Sequence, residues 1–216
     1  MKNVLFLFLT ISLFACNNGS VSPIKVISET KGGLKFEYEM DTIRKVKHGY
    51  SKLFYENGNV SIENIYVNDT LNGPQKEYFP SGKISAQFNI VLGKYHGVFK
   101  YFFEDGSIKQ EGKYVDNVLV GELKSYYENG KLKEIVIMAE NVEKGPFIEY
   151  FDNGNIKTKG VYHNGPYSEI DLLELYNEDG TLDKKMICDG KGTCKTIFKN
   201  ETSEITNPIS ETVSSK

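Results

Sequence analysis

The chain has no tryptophan, and only three histidines and three cysteines among its 216 residues. It also lacks the short motifs that carry common chemistries. There is no HExxH helix signature, no Gly-x-Ser-x-Gly elbow and no phosphate-cradling Gly-rich loop, which argues against metalloproteases, α/β-hydrolases and P-loop enzymes. The three histidines are His48, His96 and His163, and the first two lie 48 residues apart. If those two sit on separate hairpins they stand about 20 Å apart, too far to share a metal or a proton. No catalytic residue, metal or cofactor is expected. Positive charge is scarce in a second sense: no basic stripe stands out. Removing Lys2 with a leader leaves 25 Lys plus Arg against 29 Asp plus Glu, a net charge of −4. Nucleic acid is therefore not an expected partner. The column Lys52, Lys76, Lys100 and Lys124 faces acidic or polar groups and reads as a solvated sheet edge that discourages further pairing.

What the chain has in quantity is glycine and aromatic residues, and they are periodic. "GELKSYYENG" at 121–130 returns as "GPFIEYFDNG" at 145–154. The first glycine of the phrase recurs as Gly49, Gly73, Gly97, Gly121 and Gly145, and the second as Gly58, Gly82, Gly106, Gly130 and Gly154, both at a period of 24. Ahead of each second glycine stands an aromatic pair that ends in Tyr55, Phe79, Phe103, Tyr127 or Phe151. Two residues after it comes an aliphatic: Val60, Ile84, Ile108, Leu132, Ile156. A repeat of this kind has to be found first, because it decides the fold.

Asn-Gly, Ser-Gly or Asp-Gly between two strand-like runs is a strong hairpin signal, since a type I′ turn needs positive φ at both central residues. A two-residue turn would pair Tyr55 with Val60, Phe79 with Ile84, Phe103 with Ile108, Tyr127 with Leu132 and Phe151 with Ile156. The same register sets Lys52 opposite Glu63, Lys76 opposite Gln87 and Lys100 opposite Glu111. It also sets Phe99 opposite Gly112 and Phe147 opposite Gly160, an aromatic over a glycine that supports a weak strand position. Pro74 and Pro146 would stand at a strand's first residue, where a missing N–H is tolerated. Five such hairpins, joined by short connections, predict an all-β fold: an elongated single-layer array of stacked antiparallel β-hairpins on the order of 50 Å long. The repeat aromatics, Tyr55, Phe79, Phe103, Tyr127 and Phe151 in one column and Tyr78, Phe102 and Tyr126 in the opposite one, are open to two readings, internal packing or an exposed binding face, and strand alternation does not let both columns lie outside.

The unit "GxxKxYYENGKLKxxxxYxxNxxxG" resembles the MORN-repeat variant family, bacterial relatives of the membrane occupation and recognition nexus repeats. The resemblance implies a Gly-and-aromatic hairpin array over residues 49–168, and many bacterial members carry the label of antitoxin in a toxin–antitoxin module. A sixth unit is degenerate, with Glu169 in place of the leading glycine and Asp179-Gly180 arriving late. Residues 169–199 are thus expected to form a C-terminal cap and 34–48 an N-terminal capping strand region.

The termini suggest a location. "MKNVLFLFLTISLFAC" has Lys2, an apolar run too short to span a bilayer, and Leu13-Phe14-Ala15-Cys16, which resembles a bacterial lipobox. Residues 1–16 read as a lipoprotein signal with Cys16 as the lipid attachment site, where each buried methylene adds about 0.8 kcal/mol of membrane affinity. Residues 17–33 read as a flexible tether and 200–216 as a disordered tail. No acidic run follows Cys16, which favours an outer-membrane anchor facing the periplasm. Cys188 and Cys194 invite a metal, but two cysteines alone do not close a zinc site, and a disulfide suits an exported chain better. The expected function is non-enzymatic: a membrane-anchored module that binds or scaffolds a protein partner at the envelope. The alternatives are neutralisation of a partner toxin, and glycan binding or service as an accessory subunit of an envelope enzyme.

Overall fold

The computed structural model describes residues 23–162, 170–189 and 193–200. The expected lipid attachment site Cys16 and the expected tail at 201–216 therefore lie outside the described residues. All regular structure among the described residues is β, seventeen strands in one sheet, every pair antiparallel and the order following the chain. The sheet begins with β1 (Ile24–Lys31) and β2 (Leu34–Asp41). It continues through β3 (Val46–Phe54), β4 (Val60–Val67), β5 (Thr70–Leu71), β6 (Gly73–Tyr78), β7 (Ile84–Val91), β8 (Lys94–Tyr95) and β9 (Gly97–Phe102). Then come β10 (Ile108–Val115), β11 (Val118–Tyr126), β12 (Leu132–Ala139), β13 (Val142–Tyr150) and β14 (Ile156–Tyr162). The last strands are β15 (Ile170–Tyr176), β16 (Leu182–Cys188) and β17 (Cys194–Lys199). All extensive contacts join sheet neighbours, so this is one layer.

Part of the expected tether is structured. Gly32 and Gly33, with φ of 61° and 82°, turn β1 back onto β2, and Lys31 pairs with Leu34. Two consecutive glycines supply the positive φ values that a two-residue turn demands.

The centre of each repeat is a different turn from the expected one. Gly58 N–H donates to the Tyr55 carbonyl at 3.0 Å and Tyr55 N–H to the Asn59 carbonyl at 2.8 Å. Only Gly58 of that loop has positive φ. This is a three-residue loop, a type I turn closed by a left-handed glycine. The aromatic before the turn therefore leaves the ladder, and its neighbour takes the aliphatic partner: Phe54–Val60, Tyr78–Ile84, Phe102–Ile108, Tyr126–Leu132 and Tyr150–Ile156. A bulge one step further on restores the register, so Lys52–Glu63, Lys76–Gln87, Lys100–Glu111, Phe99–Gly112 and Phe147–Gly160 pair as expected.

The two-residue turns with positive φ at both positions lie instead between repeats, at Asn68-Asp69, Leu92-Gly93, Asp116-Asn117 and Glu140-Asn141. Each is followed by a second bulge, on the side of the preceding strand, that contains the leading glycine; Pro74 and Pro146 come directly after it, inside β6 and β13 and not at a strand's first residue, where that side of the ladder is already interrupted.

Because strand residues alternate, the two broad faces differ. On one face Phe99 is only 3% exposed, flanked by the rings of Phe88, Tyr101 and Tyr114 at 5.0–6.1 Å and lying over Gly112. Val136, Met138 and Phe147 form a second buried cluster. The core is thus the Phe99 row in mid-strand. The Phe103 column, at the turns, is only half-buried.

Candidate binding surfaces

The other face carries a charge ladder running across the strands. Its rungs are Glu37, Lys52, Glu63, Lys76, Gln87, Lys100, Glu111 and Lys124 in strict register. The lysine column is therefore a mid-sheet row with strands paired on both sides, and the expectation of a sheet edge is corrected. Lys52 pairs with Glu63 at 3.1 Å and Lys100 with Glu111 at 3.4 Å. The hydroxyls of Tyr78 and Tyr126 donate to Glu63 and Glu111, and these bonds hold both carboxyls below their ordinary range. Desolvation, reinforced by Glu63, pushes Tyr78 up to about 12. The middle rung breaks the alternation: Gln87 replaces the carboxylate and Phe102 replaces the tyrosine. Gln87→Glu should complete the ladder and stabilise by up to about 1 kcal/mol, visible as a higher thermal midpoint that disappears at high salt.

The ladder resumes with Lys159, Glu174 and Lys185. Buried Glu174 meets Lys185 at 2.7 Å, the Tyr176 hydroxyl at 2.9 Å and Lys159 at 3.1 Å. The Lys185 bond leads in drawing its pKa down from 4.5 to about 2. A lowered folded-state pKa means that its stabilisation is fully present above about 4.5 and is lost as pH falls towards 2. Urea midpoints should drop between pH 5 and pH 2.5, and by less in Glu174→Gln.

Beside the ladder, towards the two-residue turns, apolar side chains face solvent. Tyr50 is 58% and Val98 60% exposed, and Val67, Val91 and Val115 are exposed at a spacing of 24. Exposed apolar side chains with a charged border are a feature of docking surfaces.

On the Phe99 face, the half-buried turn aromatics Phe79, Phe103 and Tyr127 wall a groove of about 770 Å³. Its floor is Glu77, Ala86, Tyr101, Gln110 and Ser125. Two members of the turn column, one of them the groove wall Tyr127, are tied down. Tyr55 donates its hydroxyl to the Tyr78 carbonyl at 2.6 Å and Tyr127 to the Tyr150 carbonyl at 2.7 Å. Phe79 and Phe103 have no hydroxyl to do this, and at the far end Phe151 is likewise a phenylalanine.

His48 and His96 are half-buried at the connectors, 3.3 Å from Asn68 and Asp116 respectively, while His163 lies outside the described residues. Cys188 and Cys194 are joined in a disulfide that ties β16 to β17. No group of three or more metal-ligating side chains occurs among the described residues.

The model of the MORN repeat variant family matches residues 47–68, 71–90, 95–116, 119–138 and 143–164. No curated protein matches the chain. Among solved structures, the chain is similar to a point mutant of S. aureus TarM in complex with fondaparinux, α-GlcNAc-glycerol and UDP. The likeness has 13% identity and a TM-score of 0.32 over 48% of this chain and 20% of that one, too low to carry any argument. The chain spans about a fifth of that structure's length. The sixth hairpin, β15–β16, closes with the same turn at Gly180, whose N–H donates to the Asn177 carbonyl at 2.9 Å, though the family model stops before it. Hairpin by hairpin, residues 47–164 of this chain are an array of five MORN repeat variants.

Proposed function

We propose that this chain is a non-enzymatic binding module, held at the bacterial envelope by a lipid on Cys16, that docks a protein partner through its charge-ladder face. The observation that carries the reading is the exposed row of Tyr50 and Val98 with Val67, Val91 and Val115, set beside alternating charges on a rigid, multiply paired sheet. Apolar anchors supply affinity there and the ladder supplies register. Repeat arrays commonly present such extended surfaces. In affinity capture from solubilised envelopes, Val98→Asp combined with Tyr50→Ser should lose the partner with little change in thermal midpoint. Unchanged capture would overturn the docking face, and capture of a toxin would favour the antitoxin reading.

Anchoring is tested separately. Cys16→Ser should abolish palmitate labelling and leave an uncleaved precursor, because the acylated thiol is gone. A variant that still labels would show that the lipid sits elsewhere.

A further inference from the structure

Neighbouring turns along the groove edge are clamped together, with one exception. The residue after each turn glycine reaches the next turn's carbonyl: Asn59 to Pro80 at 2.8 Å, Lys83 to Glu104 at 2.8 Å, Lys131 to Asp152 at 2.7 Å and Asn155 to Glu178 at 2.7 Å. At the third turn this residue is Ser107. It is too short for the span, and its hydroxyl instead donates to Asp105 of its own turn at 2.6 Å. The turn of Phe103 and the turn of Tyr127 are thus left without a clamp at the junction where both rings wall the groove.

The lining of that groove has a definite chemistry. Phe79, Phe103 and Tyr127 stand one repeat apart, about 9.6 Å if two strands separate each pair. The floor offers a carboxylate at Glu77, an amide at Gln110 and hydroxyls at Tyr101 and Ser125. Gln110 and Ser125 are 3.5 Å apart and satisfy each other poorly. Charges in the lining balance, with Glu77 and Glu128 against Lys109 and Lys133, and both lysines lie over ring faces, 5.8 Å from Phe103 and from Tyr127. A charged ligand would find no net complement here. A purely apolar one would strand the floor's polar groups, which is costly.

We propose that this groove is a subsite for a neutral glycan, bound with sugar rings stacked on Phe103 and Tyr127 and hydroxyls bonded to Gln110, Ser125 and Glu77. A pyranose has a C–H-rich face that suits an aromatic ring, and rim hydroxyls that need amide and carboxylate partners, so one ligand satisfies both parts of the lining. The sugar takes the place of the Lys109 and Lys133 ammoniums over the rings, or accepts hydrogen bonds from them. This site lies on the face opposite the protein-docking patch and stands independently of it.

The probe is an uncharged β-1,4-linked N-acetylglucosamine tetrasaccharide, titrated by calorimetry into the full chain in a non-glycosidic detergent, with its polyanionic sulfated counterpart alongside. The neutral sugar should bind, the sulfated one at least tenfold more weakly, and Phe103→Ala and Gln110→Ala should each weaken binding at least tenfold. Ser107→Asn installs the side chain that clamps the first and fifth turns. It should reach the Glu128 carbonyl, close the junction and weaken binding without touching the ring or floor. No heat and no ligand-observed NMR transfer from the neutral sugar at millimolar concentration would overturn the inference. So would binding indifferent to all three substitutions, or tighter binding of the sulfated sugar. Loss of protein capture in Val98→Asp with sugar binding intact would show the two surfaces to be separate; hydrolysis of the sugar would overturn the non-enzymatic reading and leave the glycan site standing.

Discussion

Phe99→Ala lowers the stability of this sheet by about 3–5 kcal/mol, the cost of emptying a buried aromatic position that the surroundings cannot collapse to fill. The ring is 3% exposed, packs against three other rings and covers Gly112, whose missing side chain makes its seat. A single layer has no second sheet to relax inwards. For an array of this length the thermal midpoint should fall on the order of 10 °C. Because each hairpin contacts mainly its neighbours, a weakened centre should also split the unfolding transition, so that the flanking repeats melt apart. The comparison that gives the test its edge is Phe103→Ala. That ring is half-buried at a turn, and its loss should cost only about 1–2 kcal/mol. Equal losses in chemical denaturation would show that the turn column, not the mid-strand row, is the core.

That contrast marks how far the sequence could be read. The 24-residue period was legible, and with it the all-β array and the register of Lys52 with Glu63 and Phe99 with Gly112, because side-chain alternation and cross-strand charge leave few other solutions. The turn type was not. Asn57-Gly58 satisfies a two-residue turn and a three-residue turn equally well on paper. The second wins because only the glycine takes positive φ, while pairs such as Asn68-Asp69 and Glu140-Asn141, which advertise a turn less loudly, adopt it at both residues. That single misplacement set Phe103 opposite Ile108, a place that Phe102 takes. The groove was legible only as a row of aromatics. What sets one junction of it apart is the shortness of Ser107 beside Asn59, Lys83, Lys131 and Asn155, and that difference means nothing until the turns are known to lie side by side. The strand Ile24–Lys31 was hidden for another reason: an edge strand exposed along almost all its length needs no hydrophobic alternation to betray it.

Gly160→Ala should be strongly damaging for a single added methyl, costing about 3 kcal/mol, near the upper end of ordinary overpacking. The reason is not backbone conformation. Gly154, six residues earlier, has φ of 96° with open space around its missing Cβ, so alanine there meets only left-handed strain of roughly 1–2 kcal/mol. At Gly160 a Cβ would stand 2.5 Å from the Leu172 carbonyl oxygen of the adjacent strand and 2.6 Å from the Phe147 ring. A side chain can shift, but the carbonyl is fixed by the ladder that pairs β14 with β15, so relief requires parting the strands between the fifth hairpin and the sixth. Gly112 supplies the control, since its added Cβ would meet only side chains, Phe99 at 2.8 Å and Leu123 at 3.0 Å. Shortening the covering ring should therefore rescue one site and not the other: Phe99→Leu recovers part of the loss in Gly112→Ala, whereas Phe147→Leu leaves Gly160→Ala as unstable as before. Hydrogen exchange should show faster opening of β15 and β16 in Gly160→Ala while β6 to β9 stay protected. A Gly160→Ala protein with unchanged midpoint and unchanged exchange would mean that the two strands do not approach as closely as this argument requires.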